Sequence, residues 1–261
     1  MNEYNGGNLP AVTRNEKQNQ AVDKMRRARF IDGFEAVLLD MGNTFMFNVD
    51  RFSETDDFGA TYRRLGGGSL GDGEVGRIIL SVFRKMLSEC RDPVHYECFP
   101  SVSSYLESSP ETKALSKTER VLLEQVFAAH EIGVVPESHA DAIRRLRETH
   151  RLGVVSDIWS ASDLYRKEFD RVGIWNLFDV ILFSSDHGVL KPSPKPFLKA
   201  IDALGLPPSR ILFVGDSLRR DIAGAKAEGL STAWIDGGTG NVDGAADSPD
   251  LVIQDLRDLL S

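Results

Sequence analysis

The chain has 261 residues, and its 39 Asp and Glu outnumber its 31 Lys and Arg, which gives a formal net charge of −8. This balance disfavours a nucleic-acid partner, and the two cysteines, Cys90 and Cys98, are too few for a disulfide scaffold or a multi-cysteine metal site. No apolar run approaches the roughly 20 residues of a membrane helix, and no apolar leader precedes the first elements, so we expect a cytoplasmic protein without a membrane partner.

The first elements in chain order are an extension and a buried strand. Residues 1–33 are polar or basic and are predicted to precede the folded domain, with a short basic helix over 21–30. Short, continuously apolar runs are typical of strands that are buried on both faces. They occur at residues 36–39, 152–155, 180–183 and 211–214, and a weaker one occurs at 232–235.

Helical patterns alternate with the later strands. Pro194 opens one helix and Gly205 follows its end, while a second helix runs from 218 to 228 before Gly229. Strands that alternate with helices form parallel sheets. We therefore predict an α/β fold, a Rossmann-like parallel sheet flanked by helices, over residues 34–48 and 136–261.

Residues 49–135 interrupt the alternation and are predicted to form a smaller α-helical cap domain. Helix-like segments occupy 57–65, 74–88 and 118–130, and we find no convincing strand. The glycines of Gly66–Gly71 match a dinucleotide fingerprint, but a helical segment precedes them where the fingerprint needs a strand. We interpret them as a loop of the cap, and Cys90 and Cys98 as packing residues of the cap.

A polar residue follows each of the four stronger strands, and the carboxyl ends of parallel strands meet at one edge of a sheet. These residues are Asp40, Ser156, Lys191 (after a short connection) and Asp216, with Asp221 one helical turn further on. Carboxylate oxygens suit a hard cation such as Mg²⁺, and a lysine and a hydroxyl can hold a phosphoryl group. A carboxylate can itself attack phosphorus. We expect Asp157 to serve only a local turn.

These motifs resemble the haloacid dehalogenase superfamily, most of whose members are Mg²⁺-dependent phosphatases. The third motif of that superfamily is similar to Lys191-Pro192-Ser193-Pro194, and its fourth is similar to residues 215–221. The resemblance extends over about residues 34–236. It implies that the helical insertion closes over the site and selects a small phosphorylated substrate.

The resemblance also assigns roles to residues. It implies that Asp40 forms an aspartyl-phosphate and that Ser156 and Lys191 bind the phosphoryl group. Asn43 and Thr44 are expected to support phosphate binding from the loop after the first strand. The Mg²⁺ ligands are then Asp40, the carbonyl of Gly42, Asp216 and Asp221.

Gly42 departs from the phosphatase pattern, in which a second aspartate stands two residues after the nucleophile. That aspartate protonates the leaving group and later activates water, and such a group typically contributes about 10²–10⁴-fold to the rate. Its absence leaves the proton to water or to a residue of the cap. Without a replacement acid, rates should depend steeply on the pKa of the leaving group.

Two other functions remain open from the sequence. A 2-haloacid dehalogenase would also use Asp40 but would need no cation, which fits poorly with Asp216 and Asp221. A binding or regulatory protein could retain every phosphate-holding residue while losing the acid. The monomer and the homodimer are both compatible with the sequence.

Overall fold

A computed structural model of the protein describes residues 30–237 and 248–260, and the predicted extension over 1–33 lies almost entirely outside them. The described residues contain six strands, of which the first five correspond to the predicted ones. They are β1 (Ala36–Leu39), β2 (Arg151–Ser156), β3 (Val180–Phe183), β4 (Ile211–Gly215), β5 (Ser231–Ile235) and β6 (Leu251–Ile253).

All six strands pair in parallel in the order β3-β2-β1-β4-β5-β6. β1 lies between β2 and β4, where the chain changes the direction in which it adds strands. In register, Leu39 at the end of β1 pairs with Val154 on one side and with Val214 on the other. Ligands of such sheets bind in the crevice at this switch point, so the residues after β1, β2 and β4 are brought together there.

Helices connect the strands and cover both faces of the sheet. Alternate residues of β1 contribute to two separate apolar clusters, one containing Val37 and Leu39 and the other Ala36 and Leu38. The α-helices are α1 (Phe58–Arg64), α2 (Asp72–Glu89), α3 (Val102–Ser108), α4 (Lys117–Glu131), α5 (Glu137–Arg147), α6 (Ser162–Arg171), α7 (Ser184–His187), α8 (Pro194–Leu204) and α9 (Gly224–Ala227).

Helices α1 to α4 share an apolar cluster of their own. Phe58 and Tyr62 of α1 pack there with Ile79 of α2 and Phe127 of α4. Trp159, from the loop after β2, also packs against this cluster. The elements between β1 and β2 in the described residues are thus helices, and the loop Gly66–Gly71 lies between α1 and α2, with a helix directly before it.

The structure corrects several details of the sequence-based prediction. The segment predicted as one helix over 218–228 begins as a π-helix (Leu218–Ala223) and only then becomes α9. Strand β6 and the helices α3, α5 and α6 were not predicted. Cys90 packs against the cap cluster as predicted, but Cys98 is exposed, so its interpretation as a packing residue is wrong. In the described part of the chain, no helix is long and apolar enough to cross a membrane.

Candidate active site

Asp40, directly after β1, is held by two donors from other parts of the sheet. Its Oδ1 accepts hydrogen bonds from Ser156 Oγ at 2.9 Å and from Lys191 Nζ at 2.7 Å. Its backbone N–H extends the β1–β4 ladder by donating to Val214 O at 2.8 Å. Both donors use the same carboxylate oxygen, so Oδ2 receives no hydrogen bond from the described residues and is available to a substrate or a cation.

Lys191 links two buried carboxylates. Its Nζ lies 2.6 Å from Asp221 Oδ1 as well as 2.7 Å from Asp40 Oδ1, and the lysine side chain is 2% exposed. Burial lowers the pKa of this lysine, but the charges of Asp221, Asp40 and Asp157 together raise it above its ordinary value. Lys191 is therefore a permanent cation at this site.

Asp221 is bonded through both of its carboxylate oxygens and occupies space that a glycine leaves open. Its Oδ1 contacts Lys191, and its Oδ2 accepts the backbone N–H of Ser217 at 2.9 Å. A Cβ at Gly215 would lie 2.5 Å from Asp221 Oδ2. Because real Cβ contacts are not that short, the glycine at the end of β4 provides the space that this carboxylate occupies.

Asp216, directly after β4, is less fully satisfied. Asn43 Nδ2 donates to its Oδ2 at 3.0 Å, and the indole N–H of Trp234 donates to its backbone carbonyl at 2.9 Å. Its buried Oδ1 has no hydrogen-bond partner among the described residues. Burial, and then the charges of Asp40 and Asp221, raise the pKa of Asp216 to about 6, while the bond from Asn43 opposes that shift.

These three carboxylates fit a divalent cation. One oxygen each from Asp40, Asp216 and Asp221 can be chosen so that all three lie within 4.8 Å of one another. The unpartnered Oδ1 of Asp216 and a carboxylate oxygen of Asp40 are ligands of the hard type that Mg²⁺ takes. Asp221 also holds Lys191, and each of its oxygens keeps a lone pair, so its ligation of the cation stays a prediction.

The loop after β1 places the remaining predicted residues. Asn43 adopts a left-handed backbone conformation, with φ of 53°, and donates one amide N–H to Asp216 while lining the cavity beside Asp40, so its contact with phosphate stays a prediction. Thr44 is 1% exposed and does not line the cavity beside Asp40, so its predicted support of phosphate binding is confined to the loop itself. Gly42 does line that cavity.

Two cavities adjoin the carboxylates. The first, of about 80 Å³, is lined by Asp40, Gly42, Asn43, Ser156 and Asp216 together with acidic residues from elsewhere. The second, of about 260 Å³, lies between the sheet edge and the cap and includes Phe83, Arg91 and Arg219. Asp50, Asp157 and Arg220 line both cavities, so they stand where the two spaces meet.

Further carboxylates surround this junction. Asp157 is not confined to a local turn as predicted: its Oδ1 accepts the backbone N–H of Lys191 at 3.0 Å, and its Oδ2 lies 3.7 Å from Arg220. Burial raises the pKa of Asp157 to about 6 against the opposing charges of Lys191 and Arg220. Glu131, at the end of α4, is 4% exposed, and burial raises its pKa to about 7 although Ser160 donates to it.

Sequence reasoning missed Asp50, Glu131 and Arg220. Arg220 lies inside the fourth motif, and its charge was the available signal. Asp50 and Glu131 belong to the helical insertion, and only the docking of α4 against the loop after β1 brings them to the nucleophile. No local pattern in the sequence reports that contact.

Comparisons with known proteins agree with this geometry. The profile of the haloacid dehalogenase-like hydrolases matches residues 95–229, just over half of the chain. A curated relative, the phosphoserine phosphatase of Thermus thermophilus, is 30% identical over 173 residues, which cover 58% of this chain and 69% of that protein. Other curated relatives, all phosphatases or nucleotidases, are matched over 36% to 52% of their own length.

Solved structures give the same fold. A HAD phosphatase from Thermococcus onnurineus matches with a TM-score of 0.58 and 25% identity over 87% of this chain and 98% of that chain. A 2-haloacid dehalogenase from Pseudomonas syringae matches with a TM-score of 0.59 and 22% identity over 87% and 96% of the two chains. The parallel α/β architecture predicted from the sequence is thereby confirmed.

Proposed function

Because the chain belongs to the haloacid dehalogenase-like hydrolases, we propose that it is a Mg²⁺-dependent phosphohydrolase that acts on a small phosphorylated metabolite. The observation that carries the proposal is the hydrogen-bonded set in which Lys191 and Ser156 share one oxygen of Asp40. That arrangement orients a carboxylate and surrounds it with donors. The phosphatases among its relatives support the same class of substrate.

The first chemical step is in-line attack on phosphorus by the free Oδ2 of Asp40. Lys191 and the Ser156 hydroxyl orient this carboxylate. Lys191 keeps a third N–H for a phosphoryl oxygen, and Ser156 can donate to one by turning its single proton away from Asp40. Attack converts one displacement into two, since the aspartyl-phosphate is then hydrolysed by water at phosphorus. Asp221 holds Lys191 in position throughout.

Asp40, Asp216 and the carbonyl of Gly42 would hold the cation, with Asp221 beside them. A bound Mg²⁺ would neutralise charge on the phosphoryl oxygens next to these carboxylates. Asn43 and Trp234 keep Asp216 directed to that position by bonding to its Oδ2 and its carbonyl, respectively.

The leaving group would occupy the second cavity. We propose that residues 49–135 act as the cap domain, because α2 and the segment after it contribute Phe83, Leu87, Cys90 and Arg91 to this space. A volume of about 260 Å³ is below the range of drug-sized ligand pockets and suits a compact metabolite. Arg91 and Arg219 add positive charge, which favours leaving groups that carry an anionic group of their own.

A screen of phosphorylated metabolites with Mg²⁺ and with EDTA tests the proposal. We expect phosphate release from at least one small phosphomonoester, dependent on Mg²⁺ and lost in Asp40→Asn. The matched control is Asp202→Asn, an equal charge change at an exposed position of α8, which should retain full activity. Activity that survives Asp40→Asn would remove the nucleophile, and no activity on any substrate would favour a binding function.

The product into which ¹⁸O from labelled water is incorporated distinguishes this function from dehalogenation. In phosphate transfer, water attacks phosphorus, so a single turnover leaves ¹⁸O in phosphate and none in Asp40. In dehalogenation, water attacks the carboxyl carbon of an ester on Asp40, so ¹⁸O enters the aspartate. We expect label in phosphate alone.

A further inference from the structure

Because a glycine stands at position 42 in place of an aspartate, no residue has yet been assigned to proton transfer in the proposed reaction. Every step that expels an alkoxide or activates water needs a proton carrier at the boundary between the phosphoryl group and the leaving group. That boundary is the junction of the two cavities, and its three lining residues are Asp50, Asp157 and Arg220. Arginine stays protonated, so only the two aspartates can exchange a proton.

Asp157 is already committed to the structure around it. One of its oxygens accepts the Lys191 N–H and the other faces Arg220. Glu131, which lines the first cavity only, accepts the N–H groups of Trp159 at 2.7 Å and Ser160 at 3.0 Å with its two oxygens. These two carboxylates therefore already bind the loop after β2, the N–H of Lys191 and the charge of Arg220.

The Asp50 carboxylate differs from both. Within the described residues it makes no side-chain hydrogen bond and no ion pair closer than 4 Å, although it lines both cavities. Of the acids at the junction, it is the one whose oxygens are free to approach a substrate oxygen or a water molecule.

The backbone that carries this carboxylate is held in a fixed place. Asp50 has a φ of 54°, a left-handed conformation that is uncommon outside glycine. Its N–H donates to Glu131 O at 3.1 Å, and Arg51 donates through Nη2 to Ala129 O at 2.5 Å and Ile132 O at 2.9 Å. The end of α4 therefore sets the position of Asp50, and unusual backbone conformations of this kind concentrate at functional sites.

We propose that Asp50 replaces the acid missing at Gly42 and serves as the general acid and base of the reaction, an inference that rests on the proposed function. In the first step, Asp40 Oδ2 bonds to phosphorus, the bond from phosphorus to the leaving oxygen breaks, and protonated Asp50 gives its proton to that oxygen. In the second step, Asp50 takes a proton from water, the water oxygen bonds to phosphorus, and the bond to Asp40 breaks. Phosphate leaves, and Asp50 is again protonated.

The surroundings of Asp50 suit a carboxyl that must be protonated at the start. The charged and titratable groups that face it are Arg220 from the π-helix, Glu131 from α4 and Tyr165 from α6. Asp50 is exposed to the cleft, but desolvation by the protein around it raises its pKa, and the charge of Arg220 lowers it only in part. A phosphate dianion in the first cavity would favour the protonated form further.

The test compares leaving groups in wild type, Asp50→Asn and the control Asp202→Asn. An acid matters most for poor leaving groups, so Asp50→Asn should lower kcat/KM for an alkyl phosphate by about 10²–10⁴-fold. For 4-nitrophenyl phosphate, whose leaving group needs little protonation, we expect a much smaller loss. The alkaline limb of the kcat/KM profile, along which wild type loses the proton of Asp50, should also disappear, whereas Asp202→Asn should change none of these values.

A second variant distinguishes an acid from a structural residue. A Cβ at Gly42 has only Val49 Cγ2 near it, at 3.9 Å, so a side chain fits there. Gly42→Asp combined with Asp50→Asn should restore part of the rate with alkyl phosphates. Suppose that wild type is active and Asp40→Asn is inactive, but that Asp50→Asn slows both substrates equally or slows neither. Asp50 is then not the acid, while the proposed function stands. If wild type hydrolyses no phosphomonoester, the proposed function and the role of Asp50 are both wrong.

Discussion

Replacing Lys191 by Met should destabilise the protein strongly, because it leaves two buried carboxylates without their positive partner. Lys191 Nζ lies 2.7 Å from Asp40 and 2.6 Å from Asp221, and the three side chains are 2%, 8% and 1% exposed, respectively. At an effective dielectric constant of about 20, each contact corresponds to about 6 kcal/mol of Coulomb attraction. Desolvation of the three charges cancels much of that attraction.

The net loss expected for breaking such a buried pair is about 3–5 kcal/mol. For a chain of this size, that corresponds to a fall in Tm of roughly 6–20 °C. The loss should be smaller at pH 5 than at pH 8, because burial raises the pKa of Asp221 and the charge of Lys191 opposes that shift, so without the lysine Asp221 becomes protonated more readily at low pH. Adding Asp221→Asn to Lys191→Met should recover part of the stability.

Urea unfolding followed by circular dichroism measures these free energies. The matched control is Lys199→Met, an exposed lysine of α8, which should change the free energy of unfolding by less than about 0.5 kcal/mol. A loss below about 1 kcal/mol for Lys191→Met at pH 8, or no recovery in the double variant, would contradict the view that Lys191 neutralises this carboxylate pair.

Three further predictions concern the cation, the glycine and the cleft. Since the pKa of Asp216 is raised to about 6, it binds more protons when folded than when unfolded between about pH 4 and 6, so stability without metal falls as the pH rises through this window. In thermal unfolding, Mg²⁺ should therefore raise Tm more at pH 7.5 than at pH 5. If Mg²⁺ raised the Tm of Asp216→Asn as much as that of wild type, Asp216 would not be a ligand. Gly215→Ala should displace Asp221, lower stability by about 1–3 kcal/mol and abolish turnover, and a fully active variant would refute the tight contact. Arg91→Ala should raise KM several-fold for substrates with an anionic leaving group and leave kcat and neutral substrates unchanged, which steady-state kinetics can check.

The sheet was predictable because its signals are local. Each of the first five strands is a short apolar run, and a parallel sheet buries such runs on both faces. The closeness of Asp40 and Asp216 was predictable for the same reason. Each aspartate directly follows its strand, and β1 pairs in parallel with β4. Strand β6 was not predicted because it is three residues long and pairs only at the edge of the sheet.

The proton carrier was not predictable because its position depends on contacts between distant segments. Asp50 reaches the site only when α4, about 80 residues later in the chain, fixes its backbone through Glu131. The roles of Asp157 and Arg220 likewise depend on which side chains each meets across the cleft. Motifs report the residues that one strand end supplies, whereas tertiary packing decides which residues of the helical insertion reach the site.

The most direct test of the account is chemical trapping of the covalent intermediate on Asp40. Turnover of a substrate with Mg²⁺ would be quenched with borohydride, which reduces an aspartyl-phosphate to homoserine, and peptides covering residues 36–51 would be analysed by mass spectrometry. We expect homoserine at position 40, dependent on both substrate and Mg²⁺. Modification of a different residue, or none during demonstrated turnover, would show that Asp40 is not the nucleophile.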